Sequence, residues 1–144
     1  MSVPLLDLGR QYAYLKPSLD KAVIDVLTHG SFILGPEVTR LEQEIAKLST
    51  TPYAVAVASG TDALMLALHA AGVGPGDDVI TSDFSFFASA GVIHRLGARP
   101  ILVDIDPDTY NISADKIEAA ITPKTKAIVP VHLFGQSADM DAIM

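Results

Sequence analysis

The chain has 144 residues, of which 49% are hydrophobic and 19% charged, so it can bury a substantial core and is not typical of a disordered protein. Its formal net charge of −7 argues against a nucleic-acid groove or an anionic membrane surface as a partner, because both attract basic patches. The absence of cysteine excludes disulfides, thiolate zinc sites and cysteine nucleophiles.

No apolar stretch approaches the roughly 18 residues that a membrane helix requires. Residues 1–12 also lack a basic segment followed by a long apolar one. We therefore expect a soluble, cytoplasmic protein without membrane partners.

The first 50 residues predict a helical N-terminal segment with two helices. Residues 12–28 place Leu19, Val23 and Leu27 roughly on one helix face. Proline suits the first turn of a helix, so the second helix begins near Pro36. Its apolar residues recur at spacings of three and four: Val38, Leu41, Ile45 and Leu48.

From residue 53 onward, strand and helix patterns alternate. The predicted strands are residues 53–59, 78–83, 100–105 and 126–134, and the predicted helices are residues 61–71, 86–97, 114–121 and 137–144. This alternation implies crossover connections and a mostly parallel sheet with helices on both faces. Nearly continuous apolar runs indicate strands that are buried on both sides. The predicted fold class of residues 51–144 is α/β.

The turn Ser59-Gly60-Thr61 follows the first predicted strand, where ligands of such sheets bind. Gly60 lets a ligand approach the main chain, Ser59 and Thr61 offer hydroxyls, and the first N–H groups of the next helix have no partners within it. A phosphate is therefore one predicted occupant. The alternative is a simple helix cap, in which Asp62 complements the helix dipole. The turn has neither the nucleotide-triphosphate nor the dinucleotide spacing of glycines.

Three aromatic residues, Phe84, Phe86 and Phe87, follow the next predicted strand. A planar ligand could stack on one of them, and core packing is the alternative for each. Because both turns open on the same edge of the sheet, together they favour a ring that carries a phosphate.

The sequence predicts no metal site. Asp104, Asp106 and Asp108 alternate as in a calcium loop, but Thr109 and Asp115 stand where that loop needs glycine and glutamate. We therefore expect a polar turn. The four histidines show no metal-ligand spacing.

Five blocks of the sequence carry a family resemblance: GSFILGPEVTRLEQEIA, VASGTDALMLAL, DVITSDFSFFASAGVI, ARPILVDIDPDTYNIS and ITPKTKAIVPVHLFGQSADMDAI. In order and spacing they resemble the first part of the DegT and StrS type of sugar aminotransferases, which are fold type I enzymes dependent on pyridoxal 5'-phosphate (PLP). The resemblance runs from about residue 3 to residue 144. It implies that residues 51–144 form an incomplete PLP-binding large domain.

The resemblance also implies roles for individual residues. Gly60 and Thr61, together with Ser59, would hold the cofactor phosphate, Phe86 would lie over the pyridine ring, and Phe32 would contact the substrate. The family's Schiff-base lysine and the carboxylate at the pyridine nitrogen lie downstream of the matching segment. We therefore expect no catalytic residue in this chain and no transamination by the chain alone.

The function that the resemblance implies is amination of a nucleotide-linked keto sugar by an amino-acid donor such as glutamate. It also implies a homodimer and a place in cell-surface polysaccharide biosynthesis. Two alternatives remain open: a noncatalytic α/β module that binds a phosphorylated ligand or mediates association, and a related PLP-dependent sugar dehydratase.

Overall fold

A computed structural model describes residues 3–144, which belong to two compact units, Met1–Ala56 and Val57–Met144. The first unit contains helix α1, Leu8–His29, and helix α2, Pro36–Leu48. The carboxylate of Asp7 accepts the N–H of Arg10 at the start of α1, and Gly30 ends the helix with a φ of 71°. Both predicted helices are confirmed, although α1 begins four residues earlier than its apolar pattern indicates.

The apolar side chains of α1 are exposed to solvent in this structure. The helix has no buried residue, and Leu19, Val23 and Leu27 are between 43% and 63% exposed. Neither α1 nor any other helix among residues 3–144 is long and apolar enough to cross a membrane.

The second unit is built on three parallel strands in the order β2-β1-β3. The strands are β1, Asp78–Ser82; β2, Arg99–Val103; and β3, Thr125–Val129. The helices are α3, Gly60–Ala70; α4, Ala88–Arg95; α5, Ala114–Ala120; and α6, Met140–Ile143. The predicted α/β class with a parallel sheet is confirmed.

Helices cover both faces of this sheet. Val79 belongs to one buried cluster with residues of α3 and α4, and Ile80 belongs to the other with Ile117 of α5. Successive residues of a strand point to opposite faces, so the two clusters lie on opposite sides of β1. Helices on both faces of the sheet are thus confirmed.

The expectation that all strands are buried on both sides holds for β1 alone. Its five residues are all buried, because β1 lies between the other two strands. In β2 and β3 most residues are half-buried or exposed, and Leu102 is 56% exposed. The reason is position in the sheet, since β2 and β3 are the edge strands.

Two strand predictions are wrong. Residues 53–59 form no strand, and Val55 in this segment is 79% exposed. A strand needs a neighbour to pair with, and β1, β2 and β3 pair only with one another. The predicted strand 126–134 ends at Val129, because Pro130 has no N–H for the ladder, and Leu133–Gly135 form a 3₁₀ turn instead.

The N-terminus of α3 lies at the carboxyl edge of the sheet. The helix leads through a short turn into the first residue of β1, and its Leu68 packs in the same cluster as Val79. Eleven helical residues span roughly 16 Å, and five strand residues span about the same length. The start of α3 is therefore level with the end of β1, where the segment Asp83–Phe87 begins.

Candidate functional site

Ser59 caps helix α3. Its backbone is extended, with φ −158° and ψ 163°, and its Oγ accepts the N–H of Asp62 at 3.1 Å. The same hydroxyl donates to Oδ2 of Asp62 at 2.9 Å. Ser59 is therefore a helix cap, as one of the two interpretations of the turn predicts. Its hydroxyl hydrogen is bonded to Asp62.

The cap leaves the next two N–H groups free. Within residues 3–144, the N–H groups of Gly60 and Thr61 have no hydrogen-bond acceptor, and the first backbone bond of the helix is donated by Ala63 to the carbonyl of Ser59. A Cβ placed on Gly60 would meet no atom within 4 Å. The turn thus offers two adjacent donors, open space and the positive end of a helix dipole, and these features fit a phosphate.

The three phenylalanines after β1 have different surroundings. The ring of Phe84 lies 5.9 Å from the ring of Tyr110, measured between centroids. The ring of Phe87 lies against its own helix, where a Cβ on Gly91 would be only 2.7 Å from its Cε1 atom. Phe86 is 77% exposed and takes part in no aromatic pair of the described residues. Core packing, the alternative weighed for Phe86, therefore does not describe it.

Hydroxyl groups fix the backbone on either side of Phe86. The Oγ of Ser82 accepts the N–H of Phe84 at 3.1 Å, and the Oγ atoms of Ser85 and Ser89 lie 3.0 Å apart. Ser89 is buried at the start of α4. These bonds hold the segment between β1 and α4 in one conformation and leave the Phe86 ring in solvent.

Phe32 belongs to the first unit. It lies in the loop after α1, where its N–H donates to the carbonyl of Gly30, and its side chain is 65% exposed. Its contact with a substrate stays a prediction.

The acidic segment after β2 is a polar turn, as expected. The N–H groups of Thr109 and Asp108 and the Thr109 hydroxyl donate to one carboxylate oxygen of Asp106 and hold the pKa of Asp106 below its ordinary value. Lys116 pairs with Asp104 at 2.8 Å and lowers the pKa of that carboxyl. Among the described residues, no group of three potential ligands could hold a metal ion.

An ion pair between a buried carboxylate and an exposed guanidinium lies at the opposite, amino-terminal edge of the sheet. The carboxylate of Asp78 is buried, and it accepts Nε and Nη2 of Arg99 at 2.8 Å each and the hydroxyl of Thr122 at 2.9 Å. The bond from Arg99 is the main reason that the pKa of Asp78 lies below its ordinary value. This group joins the first residues of β1 and β2 and stands at the far end of β1 from the candidate site.

Sequence reasoning missed one part of the carboxyl edge, the loop after β3. Asn111, which follows the acidic turn after β2, is buried and bonds to the backbone of residues 133, 136 and 137. No local signal in the sequence points to these bonds, because the partners of Asn111 lie 22 to 26 residues further along the chain.

The comparison with known proteins decides the family. The family described as the DegT/DnrJ/EryC1/StrS aminotransferase family matches residues 14–144. The chain belongs to this family. A "Pleiotropic regulatory protein" of Geobacillus stearothermophilus is 54% identical to this chain. A "UDP-2-acetamido-2-deoxy-3-oxo-D-glucuronate aminotransferase" of Pseudomonas aeruginosa is 51% identical to it.

These alignments cover 99% and 98% of this chain but only 38% and 39% of the two relatives. The chain therefore spans about two fifths of the length of the curated relatives it matches. A crystal structure of NtdA from Bacillus subtilis, with its cofactor PMP bound, superposes with a TM-score of 0.91 at 40% identity. That superposition covers 99% of this chain and 33% of NtdA.

The resemblance derived from the five sequence blocks is confirmed by these matches. The structural neighbours are fold type I aminotransferases that depend on PLP, so the predicted fold and the cofactor of the family are confirmed as well.

Proposed function

We propose that this chain is the cofactor-binding part of a PLP-dependent aminotransferase that acts on a nucleotide-linked keto sugar. Membership of the aminotransferase family supports the reaction class, and the name of the Pseudomonas relative supports the substrate class. The observation that carries the proposal is the pair of free N–H groups at Gly60 and Thr61, on the same edge of the sheet as the exposed ring of Phe86.

Each residue of the site has a defined part in this proposal. The N–H groups of Gly60 and Thr61 donate to the phosphate, while Ser59 holds the turn by capping the helix. Phe86 would pack against the pyridine ring and limit its contact with water. Phe32 contacts the substrate. When bound, PLP supplies an electron sink for the substrate carbon that gains or loses the amino group.

Donor strength makes the phosphate part of this proposal reasonable despite the net charge of −7. A hydrogen bond to a charged group is worth roughly 1.5–3 kcal/mol, and the helix dipole adds roughly 0.3–1 kcal/mol. The carboxylate of Asp62 opposes the anion, but it is already engaged with Ser59. We propose that the local donors outweigh the diffuse negative field.

The remaining parts of the proposal follow the family. We propose an amino-acid donor such as glutamate, a cytoplasmic homodimer, and a role in cell-surface polysaccharide biosynthesis. The longest reading frame that contains this chain should encode a lysine downstream of residue 144 that binds the cofactor covalently. A histidine at that position would favour the sugar dehydratase instead.

A titration of this chain with PLP tests the cofactor site. Absorbance is followed with and without borohydride, which fixes any imine to a lysine. We expect saturable, reversible binding without a specific reduced adduct, since none of the chain's six lysines matches the family's catalytic position. One stoichiometric adduct on a single lysine would contradict our account of where the covalent partner lies.

A second candidate function is a noncatalytic module that binds a phosphorylated ligand. The name of the Geobacillus relative, "Pleiotropic regulatory protein", states no enzymatic activity, and this keeps the second candidate open. The two functions differ in ligand selectivity: a phosphate module binds inorganic phosphate and 4'-deoxypyridoxine 5'-phosphate about equally, whereas the proposed cofactor site prefers the compound with the pyridine ring.

A further inference from the structure

The loop that follows β3 is tied to the turn that follows β2 by one buried side chain. The Nδ2 group of Asn111 donates to the carbonyls of Gln136 at 3.3 Å and Ser137 at 3.1 Å, and its Oδ1 accepts the N–H of Leu133 at 3.0 Å. Asn111 is only 4% exposed. We call these three bonds the Asn111 clamp. They use both N–H donors of the amide and one acceptor site of its oxygen, so the loop from 133 to 137 is fixed at both ends.

The clamped loop carries His132 with one ring nitrogen committed. The N–H of Ala138 donates to Nδ1 of His132 at 3.0 Å. A backbone amide can only donate, so Nδ1 carries no hydrogen, and in the neutral ring the hydrogen is on Nε2. Nε2 has no hydrogen-bond partner within residues 3–144, and the side chain is exposed.

Aromatic contacts place this loop beside the segment that carries Phe86. The ring centroid of Phe134 is 6.1 Å from that of Tyr110, which is 5.9 Å from that of Phe84. Tyr110 and Phe134 both have a positive φ, 61° and 54°, which residues with a side chain seldom adopt. Backbone strain of this kind persists only where surrounding contacts enforce it. Here Asn111, which directly follows Tyr110, accepts the N–H of Leu133, which directly precedes Phe134.

We propose that His132 is a ligand-binding residue and that Asn111 is its positioning residue. The clamp holds the loop so that Nδ1 accepts from Ala138, and Nε2–H is left exposed as a hydrogen-bond donor three residues after the end of β3. Its partner is an acceptor oxygen of the ligand at the carboxyl edge of the sheet, either on the pyridine ring of the cofactor or on the sugar of the substrate. The inference about the ligand rests on the proposed function, whereas the tautomer of His132 does not.

Two substitutions of His132 separate its internal bond from its ligand bond. His132→Asn keeps an oxygen that can accept the Ala138 N–H but removes the distal donor. His132→Gln places an amide N–H near the position of Nε2. We expect His132→Asn to bind 4'-deoxypyridoxine 5'-phosphate roughly tenfold more weakly than the wild type, and His132→Gln to recover most of that loss. Inorganic phosphate, which lacks the ring oxygen, should bind all three proteins equally.

A uridine-diphosphate sugar is the second arm of this experiment. If His132→Asn weakens the sugar nucleotide and leaves the pyridine compound unchanged, the acceptor oxygen belongs to the substrate, and the donor role of His132 is still supported. Unchanged affinity for both ligands in a folded His132→Asn protein would overturn the proposal.

Nitrogen-15 NMR of the histidine rings tests the positioning role without any ligand. We expect the Nε2–H tautomer of His132 in the wild type and a mixture of tautomers in Asn111→Asp, which keeps Oδ1 but replaces the two N–H donors by an oxygen. A wild-type ring with hydrogen on Nδ1, or an unchanged tautomer in Asn111→Asp, would overturn the positioning role. Failure of the wild type to bind any of the ligands would instead refute the proposed function, and the ligand role of His132 with it.

Discussion

Replacing Gly60 by proline removes one of the two proposed phosphate donors and leaves the helix in place. Gly60 is the first residue of α3, a position that suits proline because its N–H has no partner in the helix. The extended backbone of Ser59, with ψ 163°, is also compatible with a following proline. A Cβ at residue 60 meets no atom within 4 Å, so the ring has room on that side.

The expected effect follows from the bond that is lost. A hydrogen bond to a charged group is worth roughly 1.5–3 kcal/mol, and about 1.4 kcal/mol corresponds to a tenfold change in the dissociation constant. Gly60→Pro should therefore weaken binding of 4'-deoxypyridoxine 5'-phosphate by roughly 10- to 150-fold. Stability should stay equal or rise by about 0.4–1 kcal/mol, because proline restricts the unfolded chain.

Gly60→Ala is the matched control, since it adds a Cβ in the same open space and keeps the N–H. Binding is measured by isothermal titration calorimetry or by the fluorescence of the pyridine compound, and folding by urea unfolding. If Gly60→Pro binds within twofold of Gly60→Ala while both are folded, the N–H of residue 60 does not hold the phosphate. The assignment of the turn would then be wrong.

Three further results are expected. Acid unfolding should depend on the pair of Asp78 and Arg99. Because the pKa of Asp78 is lowered in the folded protein, the unfolded chain takes up the proton first, and stability is lost as the pH falls below about 4. Circular dichroism should show a smaller loss of folded protein with falling pH in Arg99→Gln than in the wild type. Ile80→Ala should lower the free energy of unfolding by about 2–5 kcal/mol, because Ile80 is fully buried; a urea titration that finds less than about 1 kcal/mol would contradict the packing described for β1. Sedimentation velocity at tens of micromolar should show self-association through exposed apolar residues such as Val23 and Leu27, and a single monomeric species would refute this expectation.

Elements that depend on local pattern and on burial were predictable from the sequence. The helices followed from apolar residues at spacings of three and four and, for α2, from Pro36 as a start signal. Strand β1 was predicted over residues 78–83, and the expected burial on both faces holds for it. The segment around Val55 shows the limit, because its alternating pattern is typical of a strand, but pairing depends on a neighbour that local pattern does not reveal.

The candidate site was predictable in part, for a chemical reason. A hydroxyl before a helix serves equally as a cap and as the edge of an anion site, so the role of Ser59 could not be decided from residue types. The structure shows the cap and also the two free N–H groups that follow it. The bonds of Asn111 could not be predicted, since its partners lie 22 to 26 residues further along the chain and meet it only after the sheet has formed.

Strand β1 is only five residues long, yet its two ends have unrelated chemistry. At its first residue the carboxylate of Asp78 is locked to Arg99, and after its last residue the chain opens toward solvent. We expect that substitution of exposed residues beyond Ser82 changes what is bound and leaves the ion pair of Asp78 and Arg99 in place. An engineer seeking a new specificity would vary exposed positions such as Phe86 and keep Ser85 and Ser89, whose Oγ atoms lie 3.0 Å apart.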